Sequence, residues 1–348
     1  MESVYFEITS ICNLHCMHCY NNSGINAYKI SDDLFEIFLK SMKHIKPNSI
    51  CFSGGEPFTH EHIFEYIDKI KEYTQKVYVA TNGVLLNDKT VLQKLKSRDI
   101  HLQISIDGMK NTHNSIRGEG NFEKTIDAMT AVKEYIDFNN VTVKTVVTNK
   151  LTNEINEYIS FLDSCGVKNI AFGFLSMTGR AADNSFSQMV PSSGELIRFQ
   201  KILNEVALKF PEINIQPSQV CLRCGLVSEN PVYENIKIDV FGNVYLCQGF
   251  GSDEYSIGKI DAEHSLAQIL DGKRTNMVLD KLRSRNSSIL KCKTCLLHSK
   301  NFCTGGCVAD GINTNSLIPC CDERCELRVQ EFYETVIRPK INKAQTLG

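Results

Sequence analysis

Six short runs rich in β-branched and aromatic residues recur between residues 3 and 174, and amphipathic stretches separate them. The runs are SVYFEIT (3 to 9), SICF (49 to 52), KVYVAT (76 to 81), HLQISI (101 to 106), VTVKTVV (141 to 147) and NIAFGF (169 to 174). A repeated order of strand, helix, strand predicts a parallel sheet with right-handed crossovers. The intervening segments agree: 31 to 45 opens with Ser31, Asp32 and Asp33, an N-cap followed by acidic first-turn residues, and 122 to 136 carries apolar residues at the helical period. Six units are too few for an ordinary eight-stranded barrel, so the residues alone leave two α/β solutions, an open barrel and a doubly wound sheet. In both, the loops after the strand C-termini carry the chemistry.

With 348 residues, 42% hydrophobic and 22% charged, the chain can build one large packed domain or two ordinary ones. A formal net charge of -2 supplies no basic field for nucleic acid or anionic lipid. No apolar run approaches the roughly 18 residues of a membrane span. The start, MESVYFEITS, lacks the basic and apolar regions of a signal peptide, so a cytoplasmic protein with no nucleic-acid or membrane partner is expected. Fifteen cysteines in that reducing compartment point to metal binding rather than disulfides.

The cysteines fall into two groups. Cys12, Cys16 and Cys19 follow the first strand, ten lie from Cys221 to Cys325, and Cys51 and Cys165 stand apart and read as core. After a helical stretch at 193 to 210 the pattern becomes short and cysteine-rich, which sets expected domains of 1–215 and 216–348. Within the second, IKIDVFGNVYLC (236 to 247) reads as a hairpin turning at Phe241, Gly242 and Asn243, and a last helix is expected in the Glu326 to Ile341 region.

The first group is spaced C-x3-C-x2-C. Structural zinc takes four protein ligands, whereas a [4Fe-4S] cluster held by three thiolates leaves one iron open. Zinc completed by His15 or His18 is the alternative. Three further strand-end loops carry conspicuous groups: SGGEP (53 to 57), TNG (81 to 83) and SIDG (105 to 108). On these residues the chain resembles the radical S-adenosylmethionine (SAM) enzymes over about its first two hundred residues. The resemblance implies a partial (β/α)6 TIM-like barrel in which Cys12, Cys16 and Cys19 hold a cluster whose fourth iron is chelated by SAM. It further implies that Gly54 and Gly55 let the backbone approach the SAM methionine amine and that Glu56 accepts its hydrogen bond. Ser105, with Asp107 second, is expected at SAM, Leu175 in FGFL (172 to 175) at the adenine, and Tyr20 over the cluster or a neighbouring ligand. Arg117 is expected to meet a carboxylate or substrate, and His15 and His18 to be spacers.

The second group, Gly242-x4-Cys247, Cys292-x2-Cys295-x7-Cys303-x3-Cys307 and Cys325, resembles the cysteine-rich SPASM domain, which holds two auxiliary [4Fe-4S] clusters. The seven-residue gap departs from the usual five. The resemblance implies Cys224, Cys247 and Cys307 for one cluster, with Cys221 the nearest fourth ligand, and Cys292, Cys295, Cys303 and Cys325 for the other. Cys320 and Cys321 are surplus thiols that could serve a radical site, and His298 reads as a loop residue. A pair of zinc ribbons in a non-catalytic interaction module is the alternative.

Together these features imply an oxidative radical SAM enzyme with three [4Fe-4S] clusters, acting on a peptide or protein and fed by a low-potential donor such as flavodoxin or ferredoxin. Oxidation of a small molecule is the second enzymatic reading. Formylglycine formation in sulfatases is disfavoured, because the aspartate that serves there as base is replaced by Gln248, which cannot take a proton at neutral pH. The first strand starts at about residue 3, so leader recognition is expected to fall to a separate protein or not to be needed.

Overall fold

In β1 (Ser3–Thr9), Val4, Phe6 and Ile8 are completely buried while Tyr5 and Glu7 project from the opposite face, the two-residue alternation that a pleat imposes. The computed structural model describes residues 1–96, 98–182, 188–216, 223–314 and 324–339. Six more strands follow as parallel neighbours in chain order: β2 (Ser49–Gly54), β3 (Lys76–Thr81), β4 (His101–Ser105), β5 (Val141–Val147), β6 (Asn169–Phe174) and β7 (Asn214–Gln216). The crossovers are α1 (Asp32–Ile45), α2 (Ile63–Ile70), α3 (Lys89–Leu95), α4 (Lys110–Arg117), α5 (Asn121–Val132), α6 (Leu151–Ser164) and α7 (Ser193–Lys209). A doubly wound sheet reverses its strand order at a switch point, and this one does not, so the open barrel is the solution adopted.

Local signals fix the helix starts. Ser31 is the N-cap of α1 and accepts from the Leu34 amide at 3.2 Å, and Ser192 forms a capping box with Glu195 at the start of α7. The outer face of the sheet packs on the helices through stacked rings. Phe6 lies 4.0 Å from Phe38 and Phe35 3.7 Å from Tyr66, centroid to centroid.

Two features of the sheet have no counterpart among the six expected runs. Strand β7 is a seventh parallel strand, and its three residues are too short to show a period. The cysteine-rich half also joins the same sheet. Strand β8 (Asn235–Ile238) runs parallel to β1, with Lys237 opposite Tyr5, and β9 (Asn243–Tyr245) and β10 (Gly258–Lys259) extend it antiparallel. The ten strands run β10-β9-β8-β1-β2-β3-β4-β5-β6-β7, so the sheet continues across residue 215.

Register sets the inner face. Lys237, Tyr5, Cys51, Tyr78 and His101 form one row across five strands, and Ser105, Lys144, Ala171 and Gln216 form another. This face is polar and partly open, unlike the apolar outer face. Cys51 therefore belongs to the inner face and not to the helix-side core. The far end of the sheet is tied to the second half by Asp310, which accepts from Ser176 at 3.2 Å and pairs with Arg324, whose guanidinium sits 4.7 Å from the Phe174 ring. The last helix is Cys325–Phe332 with a π-helical turn over Tyr333–Ile337. Among the described residues no helix is long and apolar enough to cross a membrane.

Truncating Phe6 removes a fully buried ring from the β1–α1 interface. Phe6→Ala is expected to cost about 3–5 kcal/mol, read as a lower urea midpoint for unfolding.

Candidate active site

The cysteine loop is closed at its base before any cofactor is considered. The Ser10 amide donates to the Tyr28 carbonyl at 2.8 Å, Gly24 to Ser10 at 2.9 Å and Ile30 to Ile8 at 3.0 Å. The loop after β2 then packs backbone against backbone on it. The Gly55 amide donates to Thr9 at 2.7 Å and the Glu56 amide to Ile11 at 2.8 Å. A Cβ at Gly54 would lie 2.2 Å from the Thr9 carbonyl oxygen and one at Gly55 2.1 Å from that of Ile11. The two glycines are thus required by the cysteine loop itself, a reason the motif alone does not reveal.

Glu56 also has partners within the protein. Its carboxylate is completely buried and takes the Thr81 hydroxyl at 2.8 Å, the Asn82 amide at 2.8 Å and the Phe58 amide at 3.2 Å. Burial pushes the carboxyl up to about 7 against the pull of these donors. Asn82 carries the link onward, donating from Nδ2 to Asn13 at 2.8 Å and towards the Cys12 sulfur at 3.9 Å. The TNG turn thereby supplies Asn82, whose role the sequence reading did not identify.

A second clamp comes from β4 and α4. Asp107 is fully buried; its Oδ2 accepts from Arg117 Nε at 2.6 Å and meets His18 Nε2 at 2.8 Å, while Oδ1 accepts from the Val146 amide at 2.9 Å. Burial raises its carboxyl, yet the charges of Arg117 and His18 outweigh this and hold it well below the usual carboxylate range. Arg117 also points towards the Cys16 sulfur at 3.9 Å. The carboxylate expected to meet Arg117 is thus Asp107, and His18 is a member of this network rather than a spacer. Arg180 completes the clamp, donating to the carbonyls of Cys16 and Ser23, each at 2.8 Å. No local motif marks Arg180.

Tyr20 is 41% exposed, while its hydroxyl is hydrogen-bonded to the Ser53 side chain near Glu7. Glu7, only 7% exposed, accepts from Asn21 Nδ2 at 2.8 Å, and the buried ammonium of Lys237 stands 3.7 Å from the same oxygen, Oε1. Lys237 also sits 4.8 Å from the Tyr245 ring centroid. Burial pushes the Glu7 carboxyl up, and Lys237 and Asn21 pull it back. Sequence reasoning missed this pair, because its members are 230 residues apart. Ser105 ends β4 on the inner face beside Lys144, and Leu175 packs against Ile116, Ala181 and Met189.

The second cysteine group also assembles. Cys292, Cys295, Cys303 and Cys325 line one cavity of about 260 Å³ together with His298 and Arg328. Cys224 accepts from the Val308 amide next to Cys307, and Cys247 acts electrostatically on Cys307. Cys221, Cys320 and Cys321 lie outside the described residues.

The sulfurs are prepared for anionic, metal-bound chemistry. Backbone amides two residues on reach Cys12 and Cys247 at 3.5 Å and Cys303 at 3.3 Å, and the Leu226 amide does the same for Cys224. Such N–H···S contacts stabilise cluster thiolates. Without a metal, burial pushes the Cys12 thiol up to about 11, so this sulfur ionises at neutral pH only against a bound cation. The donor set fits iron–sulfur clusters.

Glu56 yields a test with a definite sign. Its folded value, about 7, is above the roughly 4.3 of an unfolded glutamate, so its contribution is fully present below about pH 4 and lost as pH rises through about 7. The stability advantage of the native chain over Glu56→Gln should therefore narrow over that range, measured as urea midpoints at successive pH values; a constant difference would show an ionised Glu56.

Comparison with known proteins gives the same reading. The chain matches the Radical SAM superfamily over residues 6–162 and an iron-sulfur cluster-binding domain, SPASM, over 231–296. An uncharacterized protein of Methanocaldococcus jannaschii is 30% identical over 265 residues, 71% of this chain and 85% of its own length. The antilisterial bacteriocin subtilosin biosynthesis protein AlbA of Bacillus subtilis is 26% identical over 318 residues, 89% of this chain and 68% of its own. The solved structure of anSMEcpe with bound AdoMet superposes over 99% of this chain and 100% of that one with a TM-score of 0.76, at 19% identity, which is a likeness of fold. With its three-cysteine loop clamped at the end of a parallel open barrel and its second half joined to the same sheet, the chain belongs to the radical SAM superfamily and is an iron–sulfur enzyme of the SPASM-containing kind.

Proposed function

We propose that this enzyme oxidatively modifies a peptide or protein substrate, forming a cross-link or a related change in a ribosomal peptide. The observation that carries the proposal is the Glu7–Lys237 pair, which lies on the inner face between the cysteine loop and the β8–β9 hairpin that leads to Cys247. The similarity to a bacteriocin biosynthesis protein along most of the chain supports a peptide as substrate. We assign Cys12, Cys16 and Cys19 to the SAM-binding cluster, and Cys292, Cys295, Cys303 and Cys325 to one auxiliary cluster. Cys224, Cys247 and Cys307 are assigned to another, with Cys221 the candidate for its fourth ligand.

When bound, SAM and its cluster supply hydrogen-atom abstraction by a 5'-deoxyadenosyl radical, and the auxiliary clusters supply an acceptor for the electron that remains. The chain's own residues have three tasks. Asp107, Arg117, His18 and Arg180 hold the cysteine loop, and Arg117 places positive charge beside the Cys16 sulfur. The open inner face, with Ser105, Gln103 and Lys144 in register, offers hydrogen bonds that orient a polar chain. Glu7 takes the proton that an oxidised substrate carbon or heteroatom releases; its desolvated carboxylate is a stronger base than one in water, and Lys237 steadies the charge. This assignment answers the loss of the usual base, because Gln248 next to Cys247 is an exposed amide.

Anaerobic reconstitution should give roughly twelve irons per chain and 5'-deoxyadenosine on addition of dithionite and SAM. Cys16→Ala should lose about four irons and SAM cleavage together; normal cleavage would remove the site assignment. Mass spectrometry of a short peptide encoded beside the gene, after anaerobic co-expression, should show a loss of hydrogen, and an unmodified peptide would argue for a small-molecule substrate. Glu7→Gln should still form 5'-deoxyadenosine while product falls by about 10²-fold or more. Undiminished product would exclude Glu7 as the proton acceptor.

A further inference from the structure

Away from its exposed ends, the inner face of the sheet carries three charged side chains: Glu7 on β1, Lys237 on β8 and Lys144 on β5. Glu7 and Lys237 stand 3.7 Å apart and offset each other. Lys144 is half-buried, and among the described residues its ammonium makes neither an ion pair nor a hydrogen bond. Asp107 accepts from the Val146 amide on the same strand, but its charge is already taken by Arg117 and His18. Among the described residues Cys51 alone acts electrostatically on Lys144, from beyond β3 and β4. Burial pushes that thiol up to about 12, so it brings no negative charge. Burial also lowers the Lys144 amine from its ordinary value, as it does for an ammonium without a counter-charge.

Space is left beside this ammonium. Ser105 on β4 and Ala171 on β6 are its partners in register, and both are small. The next inner residue of β6, Gly173, is exposed, and a Cβ there would meet nothing within 4 Å. The wide rings lie towards the N-terminal ends of the strands, where the Tyr78 and His101 centroids are 5.0 Å apart. One inner position nearer the cysteine loop, β3 has only Ala80.

We propose that Lys144 binds a carboxylate of the substrate, so that the enzyme selects a peptide carrying an acidic side chain or a free C-terminus close to the residue it oxidises. A peptide offers an ammonium two kinds of acceptor, carbonyl and carboxylate. Only the carboxylate cancels the charge, and in a half-buried place that attraction exceeds its value in water. An ammonium is a compact charge that needs no paired geometry, so one carboxylate oxygen in the space beside Gly173 suffices. Strands β2, β3 and β4 separate Lys144 from Glu7. A chain held at Lys144 therefore crosses the inner face and brings a neighbouring residue to Glu7. The inference rests on the peptide reading given above, and its test separates the two.

The test uses the reconstituted full chain with SAM and, as probe, the short peptide encoded beside the gene. The peptide is supplied unchanged, with each Glu or Asp singly replaced by its amide, and as the C-terminal amide. With native enzyme one of the neutralised peptides should show KM raised by about tenfold or more. A side-chain amide with that effect identifies an acidic residue as the source, and the terminal amide identifies the C-terminus. Lys144→Met should raise KM for the unchanged peptide by a similar factor and have no further effect on that neutralised peptide, because both changes remove the same contact. Lys144→Arg keeps the charge and should retain most of the affinity, and Lys144→Gln serves if Lys144→Met loses iron. A native KM in Lys144→Met, or losses from enzyme and peptide that simply add, overturn the inference. So does a Lys144→Met enzyme that no longer binds SAM without peptide, read from the cluster's electron paramagnetic resonance, since the ammonium would then answer the carboxylate of SAM. A native enzyme that modifies none of the peptides removes the peptide reading, and this inference with it, which differs from modification without coupling.

Discussion

The carboxylate of Glu56 is the point on which the site depends. It holds three donors from two loops, the hydroxyl of Thr81 and the amides of Asn82 and Phe58, in a place with no water to replace them. Through Asn82 it reaches the cysteine loop, and through its own amide it reaches Ile11. Fixing these loops at the strand ends sets the direction in which the cysteines face. Two glycines are needed because no side chain fits where the second loop lies on the first.

The Asp107–Arg117 pair does a different job. A buried ion pair adds little net stability over an apolar substitute, but it is costly to break, so it serves to specify one arrangement. Here that arrangement joins β4, α4 and the cysteine loop, with a guanidinium left close to the Cys16 sulfur. A cation at that distance favours the anionic form of a thiolate-bound centre, which is the form the chemistry requires.

The second half of the chain is held in register with the first by shared backbone hydrogen bonding, since β8 lies against β1. That pairing carries Lys237 to Glu7 and connects the hairpin with Cys247 to the inner face. The Asp310 contacts with Ser176 and Arg324 hold the opposite end of the sheet. Beyond that hairpin, Cys292, Cys295, Cys303 and Cys325 come together around one cavity.

The sequence by itself determined the strands, the strand-end loops and the two groups in which the cysteines fall. Its six runs coincide with β1 to β6 to within two residues, Ser31 caps α1, and the stretch at 193 to 210 coincides with α7, because pleat period, cap chemistry and helical period are local properties written within a few residues. Short β7 and the β1–β8 pairing left no such mark. Nor did the contacts of Glu56, His18 and Arg180 within the protein, which depend on which groups stand opposite once the chain is folded. Only the tertiary structure decided that Glu7 would face Lys237 and that Glu56 would accept from Thr81, Asn82 and Phe58. Both outcomes follow from strand register and loop packing, which join residues tens to hundreds of positions apart and have no period to read.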